Sequence, residues 1–492
     1  MVLVTRLSLA TLGRVEPSVR PPVDPRSLEV GIVHLGLGAF ARAHGLVFTQ
    51  GAIAAAGDSR WGYCGVTQRS RAVLDQLAPQ DGLYSILVRE GAHAVPQVVG
   101  TVRDLLFAAE EPERLTSLLA APGTRVVTLT VTEKGYRHDP ATRRLQASDP
   151  DVVADAAGRE PLTVVGQLVR GLAARRSTDA GPVTLLSCDN LAGNGEVLHD
   201  VVADFCSLLH DDGLRDWIER NVAFPSSMVD RITPATTDQD RSDVAGLLGL
   251  TDEGVVVTEP FSQWVVEDTF AAGRPAWELA GATLTDDVAP YERIKLRLLN
   301  GSHSTMAYLG ILAGYDYIAD AAADPAIAEV VTRLMTEDME PTLSVPDGFD
   351  LAAYEAQLRS RFENTALRHG TAQVAMDGSQ KLPNRLFDPI RQRLAAGATP
   401  RASTLSLAAW MRFVSAGQAD DGRPLPLEDP LAGRLQSAVA GASTPAAVVD
   451  ALFGVTEVFG DLGDDPAVRE LVTGHLDTLT RYGAKAAAQA LV

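Results

Sequence analysis

Cysteine is scarce and unpatterned in this chain: Cys64, Cys188 and Cys206 are all there is in 492 residues. None stands in a C-x-x-C pair or at Cys/His ligand spacing, so neither a disulfide framework nor a cysteine-bound metal is expected, and a sparse, odd count suits a reducing compartment. A run of about 18 apolar residues, the least a membrane-crossing helix needs, is missing. The N-terminal MVLVTRLSLATLGRV holds one short apolar patch with no small-residue cleavage pattern behind it. The expectation is a cytoplasmic protein with no membrane partner. Positive charge is short as well. Forty-three Lys and Arg against 63 Asp and Glu leave a formal net charge of -20, which argues against nucleic acid, since binding phosphates rests on excess Lys and Arg. Internal repeats of solenoid period and low-complexity tracts are absent too.

What is present reads as an α/β protein of two domains. Hydrophobic residues make up 46% and charged residues 22%, ordinary for a globular chain with a large core. Residues 1–28 carry Pro17, Pro21, Pro22 and Pro25 and read as a surface arm. Then EVGIVHL (Glu29 to Leu35), a buried-strand pattern, runs straight into GLGAFARAHGLVFTQ. This is a strand, a glycine turn and a helix. Gly36-x-Gly38-x-x-Ala41 fits the relaxed dinucleotide fingerprint: Gly36 for the tight turn, Gly38 for close approach of a pyrophosphate, Ala41 for helix packing. The N–H groups at the helix start, at Ala39 and Phe40, would hold the phosphates. A plain strand-to-helix turn explains the same residues. The next strand, WGYCGV (Trp61 to Val66), should end in an acid that binds the adenosine ribose, but Gln68, Arg69 and Ser70 follow it. Asp58 has nearer the expected count but precedes the strand. Arg69 can accept the 2′-phosphate of NADP or lie over the adenine of NAD, so both cofactors stay open.

Leu83 to Glu90 and Val95 to Val102 read as an antiparallel insertion, and Val126 to Val131 and Val183 to Leu186 as further buried strands. The last two end in TEKGY and SCDNLAGNG. Ligands of open α/β sheets lie beyond the carboxyl ends of strands, which puts Glu133, Asn190 and Asn194 where cofactor and substrate would meet. Asp189-Asn190 and Asn194-Gly195 read equally as turn and cap residues ahead of a helix over 195–210. PSSMVDRITP reads as a Pro-bounded loop in which Asp230 and Arg231 are site residues or a structural ion pair. Near Thr285 strands give way to Ala/Leu-rich helical patterns, so the predicted domains are 1–284 and 285–492.

The second domain opens on PYERIKLRLLNGSHSTMAYLGILAGY (Pro290 to Tyr315), which sets Lys295, Asn300 and His303 in an apolar helical run. At about 100° per residue, Asn300 lies roughly 140° and His303 roughly 80° from Lys295, close enough to share a side if the helix continues through Gly301. Burial disfavours an ammonium and can bring a lysine into the range of a general base, with Asn300 donating to a developing negative oxygen and His303 orienting a hydroxyl. The bland alternative pairs Lys295 with Glu292 on a helix surface, breaks the helix at Asn300-Gly301 and leaves His303 a core histidine.

Taken in order, GLGAFARAH, TEKGY, SCDNLAGNG, MVDRITP, EPFSQW, KLRLLNGSHS and AMDGSQKLP resemble the polyol-specific long-chain dehydrogenase/reductase (mannitol dehydrogenase) family from about residue 29 to beyond 390. The resemblance implies a Rossmann-type NAD(P)-binding domain followed by a mostly helical domain, and metal-independent hydride transfer to or from a small polyol or sugar acid. It also implies Lys295 as general acid/base, Asn300 and Asn190 on the reacting oxygen, and His303 on substrate, with Glu133, Asp230 and Lys381 as further members of the site. NAD is the implied cofactor, with NADP admitted by Arg69. The segment Leu367 to Pro389 is more similar to fructuronate reductases (mannonate oxidoreductases) than to mannitol dehydrogenases, which implies D-fructuronate and D-mannonate as the pair, with Lys381 or Arg385 on the carboxylate. In that segment Arg368 and His369 are read as surface residues. Mannitol 2-dehydrogenase activity is the alternative, and a dinucleotide-sensing protein without catalysis or a flavoprotein the remote ones. The oligomeric state is left open, a monomer included.

Overall fold

Short β-branched runs become strands here because one parallel sheet is covered on both faces. The computed structural model describes residues 5–139 and 142–491 and divides into two compact units, Met1–Ala289 and Pro290–Val492. The first unit contains strands Val30–Leu35 (β1), Gly62–Thr67 (β2), Tyr84–Glu90 (β3), His93–Val99 (β4), Val102–Phe107 (β5) and Val126–Leu129 (β6). It continues with Val183–Ser187 (β7), Val222–Ala223 (β8), Ser227–Asp230 (β9), Val256–Thr258 (β10), Gln263–Glu267 (β11) and Thr283–Thr285 (β12). Six of them form a sheet in the order β5-β2-β1-β6-β7-β8, parallel at every pairing. Counted within the sheet this is the order 3-2-1-4-5-6 of a doubly wound dinucleotide fold, the direction of strand addition reversing between β1 and β6.

Alternation along β1 serves two cores. Val33 and Leu35 join Leu115, Leu168, Val197 and Val201 on one side, while Ile32 joins Leu46, Phe48, Trp61, Trp264 and Trp277 on the other. A sheet buried on both faces has no polar side to show, which is why its strands read as continuous apolar runs. The predicted hairpin is β3 and β4, and β10 adds to it in parallel. Several short strands escaped the sequence reading, β5 and β9 among them. β5 is interrupted by Arg103 and Asp104, and β9 lies inside what read as a loop, paired antiparallel with β11. The arm is packed: Leu7 and Val15 are buried with Leu83, Leu87 and Val98.

The second unit is helical, and its centre is one continuous rod made of the α-helix Ala289–Ile294, a π-helical stretch Lys295–Asn300 and the α-helix Gly301–Leu312. Every residue from Gly301 to Leu312 is buried. Two more π stretches, Leu334–Met339 and Pro383–Phe387, pack against the first. Among the described residues no helix is long and apolar enough to cross a membrane.

The turn after β1 depends on a missing side chain. Gly36 has φ +93, and a Cβ there would overlap the carbonyl oxygen of Thr130. At Gly38 the same atom would meet nothing nearer than the Gly36 oxygen at 3.7 Å. Gly36→Ala is therefore expected to cost more than about 1 kcal/mol of stability, a fall in Tm of roughly 2 °C or more for a unit this large. Gly38→Ala should leave Tm unchanged. Thermal unfolding of both variants checks this, and equal Tm values would contradict the steric account.

Candidate active site

In the first unit four connections leave the carboxyl ends of neighbouring strands. After β1, Gly36 N–H donates to Val66 O at 2.9 Å and Gly38 N–H to Gly36 O at 2.6 Å, which folds the turn tightly ahead of the short helix Ala39–Ala43 (α1). Arg42 braces it, donating to Gly38 O at 3.2 Å and to Gly254 O at 2.7 Å. From beneath, the buried His34 meets Thr128 Oγ1 at 2.8 Å and Thr130 Oγ1 at 3.0 Å, and Thr130 Oγ1 donates to Gly36 O at 2.8 Å. Burial pushes the His34 pKa down to about 4, so the ring is neutral. His34 was passed over in the sequence because it reads as one polar residue inside a strand. Phe40 stacks on His44 at 5.0 Å, and His44 Nε2 reaches Gln263 O at 2.9 Å.

After β2, Gln68 is engaged in reciprocal hydrogen bonds with Gln167 at 3.0 and 3.1 Å. Arg69 is exposed. Asp58 is structural, accepting from Arg60 and from Trp61 Nε1 at 2.7 Å. After β6 and β7 come the turn Glu133–Tyr136 and the loop ahead of the helix Asn194–Leu208. Glu133 and Asn190 are exposed while Asp189 is buried. The Asn194 side chain is bonded to neighbouring backbone. Its Nδ2 donates to Asp189 O and Ser227 O at 3.0 and 2.8 Å, and its Oδ1 accepts from Ser227 N–H at 2.9 Å, so both ends of the amide tie this loop to β9. Asp230 is buried at the end of β9, opposite Gln263. Arg231 is turned away onto the carbonyls of Ala43 and Glu259, at 2.5 and 3.0 Å, and burial lowers its pKa to about 10.

In the second unit the π stretch changes the angular arithmetic. Gly301 N–H donates to Leu296 O, five residues back, and in an i→i+5 ladder residues five apart stack along one face. Lys295 and Asn300 are such a pair. Both are buried, at 7% exposure each, and His303 at 8%. Helix polar groups farther along are paired: Thr305 Oγ1 with Ser406 Oγ at 2.7 Å, Tyr308 OH onto Ala375 O at 3.0 Å. On this rod Asn300 Nδ2, Ser302 Oγ and His303 Nε2 are buried without a partner, as are further side-chain atoms elsewhere among the described residues. Such groups are rare in native structures and call for an explanation.

Basic side chains surround them. Burial first, then His369, Arg361, Arg385 and Lys295, hold the His303 pKa well below its usual value. His369 is not the surface residue expected: its ring lies edge-on to His303 with centroids 5.5 Å apart, and burial and Lys381 lower its pKa. Arg361, at the end of the helix Leu351–Phe362, was missed altogether, since nothing in its local sequence distinguishes it from a surface arginine. Arg385 faces the rod, donating to Asn300 O at 3.4 Å and Ser304 Oγ at 3.0 Å. Arg368 is at the surface, on Tyr317 OH at 2.7 Å. The segment carrying Lys381 is anchored by Ser379, whose N–H and Oγ donate to Asp429 at 2.8 and 2.5 Å. Gly378 lies so close to Trp410 Nε1 and Tyr308 OH that no Cβ fits. Among the described residues no group of three or more His, Cys, Asp or Glu is placed to hold a metal ion.

Comparison with known proteins finds relatives over nearly the whole chain. The mannitol dehydrogenase Rossmann domain matches residues 30–279 and the mannitol dehydrogenase C-terminal domain residues 287–480. The D-mannonate oxidoreductase of Escherichia coli is 39% identical over 481 residues, covering 96% of this chain and 98% of that protein. The mannitol 2-dehydrogenase of Pyrenophora tritici-repentis is 37% identical, with 98% and 85% covered. The structure of Pseudomonas fluorescens mannitol 2-dehydrogenase in ternary complex with NAD and D-mannitol superposes with a TM-score of 0.90 at 35% identity, covering 99% of each chain. With both domains matched in order and relatives near 40% identity over nearly its full length, this chain belongs to the mannitol dehydrogenase family of oxidoreductases.

Proposed function

We propose that the chain reduces a keto-sugar acid to its hydroxy acid with NADH, D-fructuronate to D-mannonate, and catalyses the reverse with NAD. The observation that carries this reading is the unpartnered, buried pair Asn300 Nδ2 and His303 Nε2, next to Lys295 and among Arg361, His369, Lys381 and Arg385. A cationic enclosure with free donors suits an oxygen-rich anion better than a neutral polyol.

The glycine turn fits the pyrophosphate of NAD. The space that a Cβ on Gly38 would fill is open, and the first N–H groups of α1, at Ala39 and Phe40, have no partner within the helix. Arg69, exposed after β2, attends the adenosine end, where it also admits the extra phosphate of NADP. Glu133 belongs to the cofactor side of the site. Bound NAD supplies the hydride acceptor, and NADH the donor. The residues of this chain manage charge and protons. Lys295 Nζ gives a proton to the carbonyl oxygen in reduction and takes it back in oxidation. Asn300 Nδ2 and the Asn190 amide donate to that oxygen as it becomes negative. His303 and Asp230 hold substrate hydroxyls, and Lys381 pairs with the carboxylate. Arg385 acts one step back, bracing Asn300 through its carbonyl. A neutral polyol is the second reading, favoured by the identity shared with mannitol 2-dehydrogenases. The reducing compartment implied by three free, buried cysteines fits a cytoplasmic enzyme.

Lys295→Ala should lower kcat by about 10²- to 10⁴-fold with little change in NADH binding. Turnover near wild type would remove Lys295 from the mechanism. His303, held below its usual pKa of 6.5, is neutral from that pH upward and takes no part in an acid limb at higher pH. His303→Asn is thus expected to reduce kcat/KM by roughly 10- to 100-fold while leaving the midpoint of any such limb in place, and a limb that disappears would show that the ring titrates. The substrate class is tested with kcat/KM for fructuronate and fructose. A charge-assisted bond from Lys381 is worth about 1.5–3 kcal/mol, roughly a 10- to 150-fold preference for the acid, and Lys381→Ala should abolish most of it. Equal efficiency for both substrates, or equal losses in the variant, would favour the polyol reading.

A further inference from the structure

The strongest feature outside these assignments is a strained residue held by a buried carboxylate. Thr132 has φ +68 and ψ +159, a region that is essentially reserved for glycine. A β-branched residue there is an outlier. It persists only where surrounding contacts hold it, and here they are specific. Asp189 Oδ1 accepts from Thr132 N–H at 2.8 Å, and Oδ2 accepts from Val131 N–H at 3.1 Å and from Tyr136 OH at 2.7 Å. The Tyr136 hydroxyl also meets Ser187 Oγ at 2.5 Å. Asp189 and Tyr136 are both buried, so water does not substitute for these bonds. The carboxylate itself is fixed, because its backbone oxygen accepts from Asn194 Nδ2 and its N–H donates to Ser187 Oγ at 3.3 Å.

The topology gives this clamp a purpose. Leu129 and Ser187 are register partners at the carboxyl ends of β6 and β7, so Asp189 bridges the two connections that leave adjacent strands. The residue after Thr132 is Glu133, and the residue after Asp189 is Asn190. We propose that Asp189 is a positioning residue: by holding Thr132 in a conformation its side chain disfavours, it sets Glu133 and Asn190 at a fixed separation for hydride transfer. This rests on the reading of Glu133 and Asn190 as site residues given above. The strain is what makes the clamp testable, since glycine takes the same backbone conformation without it.

Asp189→Asn replaces one of the two acceptor oxygens with a donor, so in either orientation a backbone N–H of the 131–132 turn loses its acceptor. Hydrogen exchange of the amides in 131–136 should rise in this variant, and kcat should fall about 10- to 100-fold, the scale for a reacting group displaced by about 1 Å. Thr132→Gly alone should keep kcat. Asp189→Asn combined with Thr132→Gly should recover most of the lost kcat, which a purely structural loss would not do. Unchanged exchange in Asp189→Asn, or no recovery in the double variant, overturns the proposal. Asn190→Ala and Glu133→Gln report separately on the site reading. If both keep wild-type turnover while exchange rises as expected in Asp189→Asn, the clamp exists but the site reading fails, and the positioning role fails with it. If they lose turnover and Asp189→Asn does not, the site reading stands and the positioning role alone is overturned.

Discussion

The first unit turns on one close approach, that of the Gly36 backbone to the carbonyl of Thr130 where β1 lies beside β6. Sheet order reverses at this point, so the connections after β1 and β6 part in opposite directions and leave a crevice. The crevice is usable only if its walls are backbone and small. A side chain at 36 would push the two connections apart, and the His34, Thr128 and Thr130 network beneath would lose its grip on the Gly36 oxygen. The aromatic core of Trp61, Trp264 and Trp277 supports the same edge from the side of α1. Stability and binding geometry therefore draw on the same few contacts.

The second unit answers a different problem, which is how to keep a lysine, an amide and a histidine buried together. A regular α-helix would set Lys295 and Asn300 about 140° apart. The π stretch closes most of that angle without ending the rod, at the expense of poorer hydrogen-bond geometry. It is supported by two further π stretches packed on it and by Arg385, which reaches back to the Asn300 carbonyl. The concentration of positive charge around His303 is notable in a chain whose net charge is -20. Cations that merely balanced the excess of acids would be expected at the surface beside them, as Arg423 is beside Asp316 and Asp421. Arg361 and Arg385 are instead buried.

The sheet was legible because a strand covered on both faces must be apolar throughout, and β1, β2, β6 and β7 announce themselves that way. β5 did not, because Arg103 and Asp104 interrupt it, and β9 was hidden between Pro225 and Pro234. Gly36 was legible for a steric reason that local sequence carries. The π stretch was not, since no residue type marks the one extra residue in a turn, and the expected angle between Lys295 and Asn300 was accordingly that of an α-helix. Polar residues on loops were the least legible. Asn194 and Asn190 stand four residues apart in the same motif, yet one is wholly taken up by backbone groups of Asp189 and Ser227 while the other is exposed. Only long-range partners separate them. That Arg361 and His369 lie beside His303 was not visible for the same reason.

The distribution of unsatisfied groups along the central rod carries the remaining inference about how fold and function share it. Each buried polar group left unpaired costs about 1–3 kcal/mol. Thr305 and Tyr308 avoid that cost through Ser406 and Ala375, whereas Asn300, Ser302 and His303 do not. A rod selected for stability alone would have paired or replaced the second set, as it did the first. The unpaired set lies within a span of four residues adjoining Lys295, so the cost is confined to one turn while the rest of the rod, apolar and wholly buried, holds that turn in place. Local inconsistency surrounded by consistent packing is what a binding site leaves in a folded chain. In the first unit Thr132 is likewise strained in the connection that carries Glu133, held there by the buried Asp189.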